Sequence, residues 1–384
     1  MESQKARVLF LFSDTGGGHR SAAEAIIEAL ELRYAETIEP RMVDVFKEYA
    51  PRPLDRLPDL YPEMARHPQM WGWGYKLSDG PQAAFLEYAF WPYVRRATRR
   101  LVHEQEAECI VSVHPLFNSA YLRAAGKDHP PFITVVTDLV TAHTLWYEPK
   151  ADLCIVPTEK AAQRALENGI GEEKVRVIGL PVARNFCVPF GDERSLREEL
   201  KWPLDRPVIL LVGGGEGMGP LEETAEKISS LDFDLALAIV TGRNEALKQK
   251  LERRSWPVPT FVYGFEHRIP DMMRAATLLV TKAGPGTITE ALNAGLPMVL
   301  YSHLPGQETG NIDYVVEAGV GLWAPGPQRA AEAVRWWLWN EAVLKAAGEA
   351  CQRMARPQAA MEIAEIISEW ALRSKENPSP ANTI

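Results

Sequence analysis

The stretch LLVTKAGPGTITEALNAGLPMVLYS, residues 278–302, decides the fold. An apolar run leads into the turn 284–286 (Gly-Pro-Gly), a helix pattern follows over 287–293, and a second apolar run begins at Met298. This order predicts a strand, a glycine-rich loop, a short helix and a parallel strand. Such a unit presents the unpaired N–H groups of a helix N-terminus to an anion, and its glycines let the backbone approach closely. We therefore expect a phosphate-bearing ligand here.

A polar loop, HLPGQE at 303–308, follows the second strand of this unit. In an open α/β sheet, ligands bind at the carboxyl ends of the strands. Gln307 and Glu308 could therefore bind sugar hydroxyl groups, or they could form an exposed loop tip. A diphosphate site beside a hydrogen-bonding loop suggests a nucleotide whose attached group is also recognised.

Length and composition limit the possible classes of protein. A chain of 384 residues fits two α/β domains, and its net charge of −9 argues against general nucleic-acid affinity. The four cysteines lie far apart without C-x-x-C spacing, which indicates neither a zinc site nor a disulfide framework. No apolar run has the length of a signal peptide or a membrane span, so we expect a cytosolic, non-spanning protein.

The two halves of the chain begin in the same way. Residues 7–12 and 207–212 are strand patterns, and each is followed by a glycine-rich loop and a helix pattern, over 21–32 and 221–230. Each start resembles the first βα turn of a doubly wound domain, and alternating strand and helix patterns indicate parallel sheets. The further strand patterns are 109–113, 132–137, 152–156 and 175–178 in the first half and 235–240, 260–263 and 278–281 in the second.

The domain boundary falls in the irregular stretch 189–205. We expect an N-terminal domain at 1–190 and a C-terminal domain at 191–345. Residues 346–373 are predicted to form a C-terminal helix that packs back toward the N-terminal domain. Residues 374–384 are polar and contain two prolines, which predicts a disordered tail.

The segment 51–100 differs from both halves, because it combines prolines with WGWGYKL at 71–77 and WPYVRRATRR at 91–100. Trp and Tyr favour the headgroup level of a membrane and Arg attracts anionic lipid, so this segment is a candidate interfacial surface. The alternative is that the aromatic residues belong to a core and the arginines to a solvated helix face.

Neither glycine loop matches a standard nucleotide motif. GGGEGMG at 213–219 lacks the G-x-G-x-x-G spacing, and no G-x-x-x-x-G-K-[ST] occurs. The one Asp-x-Asp pair, at 232–234, precedes a predicted strand instead of following one. A metal-bridged diphosphate is therefore not indicated, which leaves backbone amides and the helix dipole to neutralise the phosphates.

Several polar residues have both a functional and a structural interpretation. Thr287 and Glu290 form T-x-x-E, which is a helix-capping box, but Glu290 could instead accept hydrogen bonds from a ribose. His19 ends a glycine run at a predicted helix start, where the dipole would lower its pKa; the neutral imidazole could act as a general base or simply cap its loop. Asp138 and His143 follow the predicted strand 132–137, where Asp138 could orient a base or hold its loop.

Four segments of the chain together form a specific signature. They are SDTGGGHRSAAEAI at 13–26, TDLVTAHTLWYEP at 137–149, VIGLPV at 177–182, and TKAGPGTITEALNAGLPMVL with PGQETGN within 281–311. These segments resemble the monogalactosyldiacylglycerol synthases and the bacterial diacylglycerol glucosyltransferases of glycosyltransferase family 28, and the resemblance runs in order from about Val8 to Gly321. A more distant likeness is to the lipid-linked N-acetylglucosaminyltransferase of peptidoglycan synthesis.

The resemblance implies an α/β protein with the GT-B fold, in which two Rossmann-like doubly wound domains face each other across a cleft. The first domain would meet the membrane and receive the acceptor, and the second would bind the UDP-sugar. The implied reaction is inverting transfer of galactose or glucose from a UDP-sugar to the hydroxyl of diacylglycerol, with no metal or other cofactor. The implied location is cytoplasmic, with peripheral attachment to the cytoplasmic face of a membrane and its anionic lipids.

The resemblance also implies roles for individual residues. His19 would remove the proton from the acceptor hydroxyl, with Asp138 as its partner or as the base in its place. The other acceptor-side residues are Gly17, Gly18 and His143. On the donor side they are Gly284, Gly286 and Thr287 at the diphosphate, Glu290 at the ribose, Phe265 near the uracil, Gln307 and Glu308 at the sugar, and Gly214, Gly215 and Gly217 as the other wall of the phosphate site.

Two other functions fit the same residues. A UDP-sugar 2-epimerase uses the same fold and would need only a soluble nucleotide sugar. A non-catalytic UDP-sugar-binding protein would keep the donor site without turnover.

Overall fold

Each half of the chain folds around its own parallel β-sheet. The structure is a computed structural model that describes residues 5–15, 18–60, 68–188, 191–215, 217 and 219–377. The chain divides into two compact units: unit 1 comprises Met1–Arg184 and Gln358–Ile384, and unit 2 comprises Asn185–Pro357.

Unit 1 contains a six-stranded sheet in the order β2-β1-β3-β4-β5-β6. Its central strands are buried on both faces, which explains why the first strand, ARVLFLF, is a nearly continuous apolar run. The strands are β1 (Ala6–Phe12), β2 (Ile38–Asp44), β3 (Cys109–Ser112), β4 (Phe132–Val135), β5 (Leu153–Val156) and β6 (Val175–Val177). The helices are α1 (Gly18–Tyr34), α2 (Val45–Tyr49), α3 (Pro68–Ser78), α4 (Gln82–Glu104), α5 (Asn118–Ala125), α6 (Glu159–Glu167) and the last helix of the chain, α15 (Ala359–Glu376).

Unit 2 repeats the plan with a six-stranded sheet in the order β12-β11-β10-β7-β8-β9. The strands are β7 (Val208–Val212), β8 (Ala236–Val240), β9 (Thr260–Tyr263), β10 (Leu278–Lys282), β11 (Met298–Ser302) and β12 (Gly321–Trp323). The helices are α7 (Glu193–Leu200), α8 (Leu221–Ser229), α9 (Glu245–Glu252), α10 (Ile269–Ala275), α11 (Pro285–Ala294), α12 (Thr309–Glu317), α13 (Pro327–Trp339) and α14 (Glu341–Met354).

The strand order reverses at one point in each sheet. In unit 1 the reversal lies between the neighbouring strands β1 and β3, and in unit 2 between β7 and β10. The loops that leave the carboxyl ends of such a strand pair diverge to opposite faces of the sheet and open a crevice for a ligand. The glycine-rich stretches of the sequence follow β1, β7 and β10, three of the four strands that border these reversals.

The sequence predicted ten of these strands and missed the two edge strands β2 and β12. The strand β2 reads IEPRMVD, and its proline and charged residues are tolerated because β2 pairs on one side only. The strand β12 has only three residues, which is too short to show a periodic pattern.

The division between the units differs from the predicted domain ranges. It falls at Arg184/Asn185 instead of at residue 190. The single helix predicted at 346–373 is two helices, separated near Pro357: α14 packs on α11 in unit 2, and α15 packs on α1, β1 and β3 in unit 1. Residues 374–376, which were predicted to belong to a disordered tail, are the end of α15, and residues 378–384 lie outside the described part of the chain.

Helix α15 completes the core of unit 1. Its buried residues recur at helical spacing and join the cluster that contains β1, β3 and α1.

We expect Ile367→Ala to lower the free energy of unfolding of unit 1 by about 2–5 kcal/mol, because Ile367 is fully buried and the change leaves a cavity. Urea titration followed by circular dichroism measures the change. The exposed neighbour Glu369 provides the control: Glu369→Ala should stay within about 0.5 kcal/mol, and an equal loss in both variants would contradict the packing of α15.

Candidate active site

The glycine loop after β7 has a conformation that requires glycine. Gly214 and Gly217 have φ angles of 72° and 59°. A Cβ atom on Gly217 would lie 2.3 Å from the carbonyl oxygen of Thr241, and one on Gly242 would lie 2.3 Å from that of Gly215. The loops after β7 and β8 therefore touch through their backbones, and side chains are excluded from their contact.

The second glycine loop forms the N-terminus of α11. Gly284 is the N-cap residue, Pro285 and Gly286 follow in the first turn, and no side chain caps the helix. The capping box considered for Thr287 and Glu290 is wrong, because Thr287 lies in the first turn of the helix and not at its N-cap. The first turn thus presents backbone N–H groups and the positive end of the helix dipole, without a side-chain acceptor.

The carboxylate of Glu290 lies in the second turn of α11. Burial raises its pKa to about 7. Among the described residues, no hydrogen bond or ion pair of this carboxylate is found. A partly buried carboxylate without a partner in the described part of the chain, close to the N-terminus of α11, is suited to accept hydrogen bonds from a ligand hydroxyl group.

A cation that the sequence analysis missed lies between the two glycine loops. A Cβ atom on Gly284 would lie 3.0 Å from Nζ of Lys282, and one on Gly214 would lie 3.3 Å from its Cε. Lys282 forms an ion pair with Glu308. Its only signal in the sequence is its position as the last residue of an apolar strand.

Glu308 is buried and not part of an exposed loop tip. Glu308 is 2% exposed, and its Oε2 accepts a hydrogen bond of 2.8 Å from the backbone N–H of Leu304. The preceding residue, Gln307, is partly buried in the same loop after β11. This loop therefore lies beside β10 and its lysine, as the neighbouring strands β10 and β11 require.

Phe265 follows β9 and is 55% exposed. The guanidinium carbon of Arg243 lies 5.0 Å from the centre of its ring, and the ring of His267 lies 5.3 Å away in an edge-on arrangement. Arg243 also approaches the glycine loop, since a Cβ on Gly215 would lie 3.6 Å from its terminal nitrogen. An exposed aromatic ring beside this loop is suited to stack on a planar base.

In unit 1, His19 lies in the first turn of α1, directly after the exposed Gly18. Its Nδ1 is 2.9 Å from Oγ1 of Thr137. Burial lowers the pKa of His19 to about 4, against a smaller opposite effect of its hydrogen bond with the Val113 backbone. The sequence analysis expected the helix dipole to lower this pKa, and in the structure burial is the largest cause. Gly17 lies outside the described residues.

Asp138 is buried beside this histidine. Its Oδ2 accepts a hydrogen bond of 2.7 Å from Nε1 of Trp146, whose ring centre lies 5.9 Å from that of His19. Trp146 is fully buried, so the indole fixes the carboxylate in place. The carboxyl ends of β1 and β4 thus bring His19, Thr137 and Asp138 together.

His143 makes local contacts through both of its ring nitrogens. Its Nδ1 accepts a hydrogen bond of 3.2 Å from the backbone N–H of Leu145, and its Nε2 is 3.1 Å from Oγ of Ser78. Burial lowers its pKa. His143 therefore joins the loop after β4 to the end of α3, which is a structural role in addition to the predicted acceptor-side position.

A buried histidine beside His19, His114, was missed in the sequence. Its ring centre lies 4.6 Å from that of His19, and its Nε2 is 3.0 Å from Oγ1 of Thr15. Burial lowers the pKa of His114 well below its usual value. The available signal was its place directly after the predicted strand 109–113, at the same sheet edge as His19.

Helices α3 and α4 carry an unusual number of exposed apolar side chains, which we call the α3–α4 apolar surface. Its residues are 44–76% exposed: Met70, Trp73, Leu77, Phe85, Tyr88, Phe90 and Tyr93. The alternative that the aromatics of segment 51–100 form a core is wrong for these residues. Among the helices of the described chain, none is long and apolar enough to cross a membrane.

Comparisons with known proteins agree on the family and the fold. The sequence model described as "Monogalactosyldiacylglycerol (MGDG) synthase" matches residues 19–182, and the glycosyltransferase family 28 C-terminal domain matches 208–323. A probable monogalactosyldiacylglycerol synthase 2 of rice (Oryza sativa subsp. japonica) is 37% identical over 94% of this chain and 80% of its own length. Monogalactosyldiacylglycerol synthase 2 of Arabidopsis thaliana is 36% identical over the same shares.

The fold matches a solved glycosyltransferase structure. MurG of Acinetobacter baumannii has a TM-score of 0.63, with 14% identity over 95% of this chain and 99% of that one. The predicted α/β class and GT-B fold are confirmed. The predicted cytoplasmic location is wrong, because the rice and Arabidopsis relatives are described as chloroplastic.

The low pKa of His19 makes stability depend on pH. Unfolded histidine titrates near pH 6.5, whereas folded His19 stays neutral down to about pH 4. Between these values the unfolded chain binds more protons, so stability falls as the pH is lowered from about 6.5 to 4. Urea titrations at several pH values should show a smaller fall for His19→Gln than for the parent chain. Equal falls would contradict the lowered pKa of His19.

Proposed function

Because the chain belongs to the monogalactosyldiacylglycerol synthase family of glycosyltransferases, we propose that it transfers galactose from UDP-galactose to diacylglycerol. The names of the rice and Arabidopsis relatives support galactose over glucose and diacylglycerol as acceptor. The observation that carries the proposal is in unit 2, where the uncapped N-terminus of α11 and the Gly214 turn meet beside Lys282 at the strand reversal.

On the donor side, backbone N–H groups bind the diphosphate. Gly284, Gly286 and Thr287 contribute one wall of this site, and the loop of Gly214, Gly215 and Gly217 contributes the other. Glu290 accepts hydrogen bonds from the ribose, Phe265 stacks on the uracil, and Gln307 binds the sugar. The absence of a capping role for Glu290 and the exposure of Phe265 support these assignments.

On the acceptor side, His19 is the general base and Asp138 is a positioning residue. The acceptor oxygen loses its proton to His19 as it attacks the anomeric carbon, and the bond from that carbon to UDP breaks. The electron pair leaves with UDP, and attack from the opposite face inverts the anomeric centre. The neutral state of His19 and the hydrogen bond from Trp146 to Asp138 support this division of roles.

Charge on the leaving UDP is stabilised without a metal ion. The N-terminus of α11 supplies preorganised N–H groups, and these cost no reorganisation as the charge develops. We expect the transfer rate to be unchanged by an excess of EDTA.

The acceptor is reached from a membrane surface. The α3–α4 apolar surface is suited to enter the headgroup region, and three exposed arginines of α4, Arg95, Arg96 and Arg99, are suited to anionic lipid. Arg100 is different, because its guanidinium donates to the Glu48 carbonyl oxygen at 2.9 Å and lies over the ring of Tyr49.

One assay separates this function from the two alternatives. The chain is incubated with labelled UDP-galactose or UDP-glucose, with and without diacylglycerol vesicles. Lipid-dependent UDP release supports the transferase, isomerisation without lipid supports an epimerase, and binding without turnover supports a binding protein. Faster release with UDP-glucose than with UDP-galactose would overturn the choice of donor.

His19→Ala should lower turnover in this assay by roughly 10²–10⁴-fold, which is the usual contribution of a general base. UDP affinity, measured by calorimetry, should be unchanged, since His19 belongs to the acceptor side. Asp138→Asn tests the positioning role, and its activity should fall with a change in the pH profile of turnover. Near-normal turnover of His19→Ala would reject the base.

Replacing Arg95, Arg96 and Arg99 by Ser should reduce co-sedimentation with anionic vesicles, and Trp73→Ala should reduce binding to neutral vesicles as well. The matched control replaces three exposed arginines of unit 2, Arg194, Arg253 and Arg329, and changes the net charge equally. Equal loss in both triple variants would show a general charge effect and would count against this surface.

A further inference from the structure

The ion pair of Lys282 and Glu308 lies where the donor diphosphate is proposed to bind. Lys282 ends β10, and its side chain is 18% exposed, whereas that of Glu308 is 3% exposed. The ammonium group approaches the N-cap glycine of α11, because a Cβ on Gly284 would lie 3.0 Å from Nζ. The stem of the lysine lies against the other glycine loop at Gly214. A cation is therefore held between the two walls of the phosphate site.

Both carboxylate oxygens of Glu308 are engaged inside the protein. Oε1 pairs with Nζ of Lys282, and Oε2 accepts the hydrogen bond from Leu304. Glu308 is 2% exposed, so a sugar hydroxyl has little access to the remaining lone pairs of these oxygens. Neither oxygen is thus arranged as a primary sugar ligand, in contrast to the role that the sequence resemblance implied.

We propose that Lys282 binds the diphosphate of the donor and that Glu308 is a positioning residue that acts through Lys282. This inference rests on the proposed function, since it assumes a nucleoside-diphosphate donor. The Leu304 N–H fixes the carboxylate, and the carboxylate in turn fixes the flexible lysine side chain. The ammonium group is then already in place before the donor arrives.

In the proposed transfer, a lysine at this position would stabilise the charge of the leaving group. As the anomeric carbon–oxygen bond breaks, negative charge grows on the departing phosphate oxygen, and a preorganised cation stabilises that charge. An ammonium group is a compact point charge, suited to a phosphate that moves during the reaction. Protein kinases use a lysine oriented by a glutamate toward phosphates in the same sense.

Calorimetric titration of UDP and of uridine into the full chain tests the role of Lys282. Lys282→Met should weaken UDP binding by roughly 10- to 100-fold, the range of a charged hydrogen bond, and leave uridine binding unchanged. Lys282→Arg should recover part of the loss. Lys250→Met is the matched control, because Lys250 of α9 also forms an ion pair with a glutamate, Glu222 of α8, but its side chain is 66% exposed. Unchanged UDP affinity in Lys282→Met would overturn the assignment.

A double-mutant cycle tests the role of Glu308. Glu308→Gln should weaken binding of UDP and UDP-galactose by the same factor, because it acts on the lysine and not on the sugar. In the Lys282→Met background it should have no further effect. Weaker binding of UDP-galactose alone, or an undiminished effect in that background, would show direct contact with the sugar and overturn the proposal.

Two controls distinguish a failure of this proposal from a loss of stability in the variant and from a failure of the proposed function. Lys282→Met leaves Glu308 buried without its cation, so its thermal unfolding is compared with that of the Lys282→Met/Glu308→Gln variant, which removes both charges. The loss of UDP affinity must persist in the double variant. If the unaltered chain binds no UDP, the proposed function fails; if it binds UDP and transfers galactose while Lys282→Met behaves normally, only this inference fails.

Discussion

The reversal of strand order at the centre of each sheet is the constraint on which the candidate site depends. Helices that leave neighbouring strands to opposite faces open a crevice at the carboxyl ends of those strands. In unit 2 this places the turns after β7 and β10 side by side, and in unit 1 it places His19 beside His114. Within each unit, residues far apart in the chain lie close together because their strands are hydrogen-bonded neighbours.

Burial has opposite effects on the charge of ionisable side chains in the two units. In unit 1, desolvation keeps His19 and His114 neutral, which suits proton transfer. In unit 2, the buried carboxylate of Glu308 is compensated by Lys282, so a fixed positive charge is retained beside the helix N-terminus. Burial therefore leaves a group neutral where no partner of opposite charge is present, and leaves it charged where one is.

Composition alone could not decide whether the aromatic residues of segment 51–100 are exposed or belong to a core. Contiguous exposed aromatic surface is uncommon on soluble proteins and marks an interaction site. Trp73 and Phe85 are 76% and 70% exposed. The same residues in a sequence are compatible with a core, because a tryptophan is as suited to packing as to a membrane interface.

The sequence by itself determined the parallel α/β class, ten of the strands, the three glycine loops and the family, because these are local patterns of apolar period and turn chemistry. Only the tertiary structure decided that Glu308 is buried against Lys282, that Glu290 is not a capping residue, that His114 contacts His19, and that β2 and β12 complete the sheets. These depend on which strands become neighbours and on how deeply a side chain is desolvated. Strand neighbours and side-chain desolvation both depend on distant parts of the chain, so neither follows from the sequence of one segment.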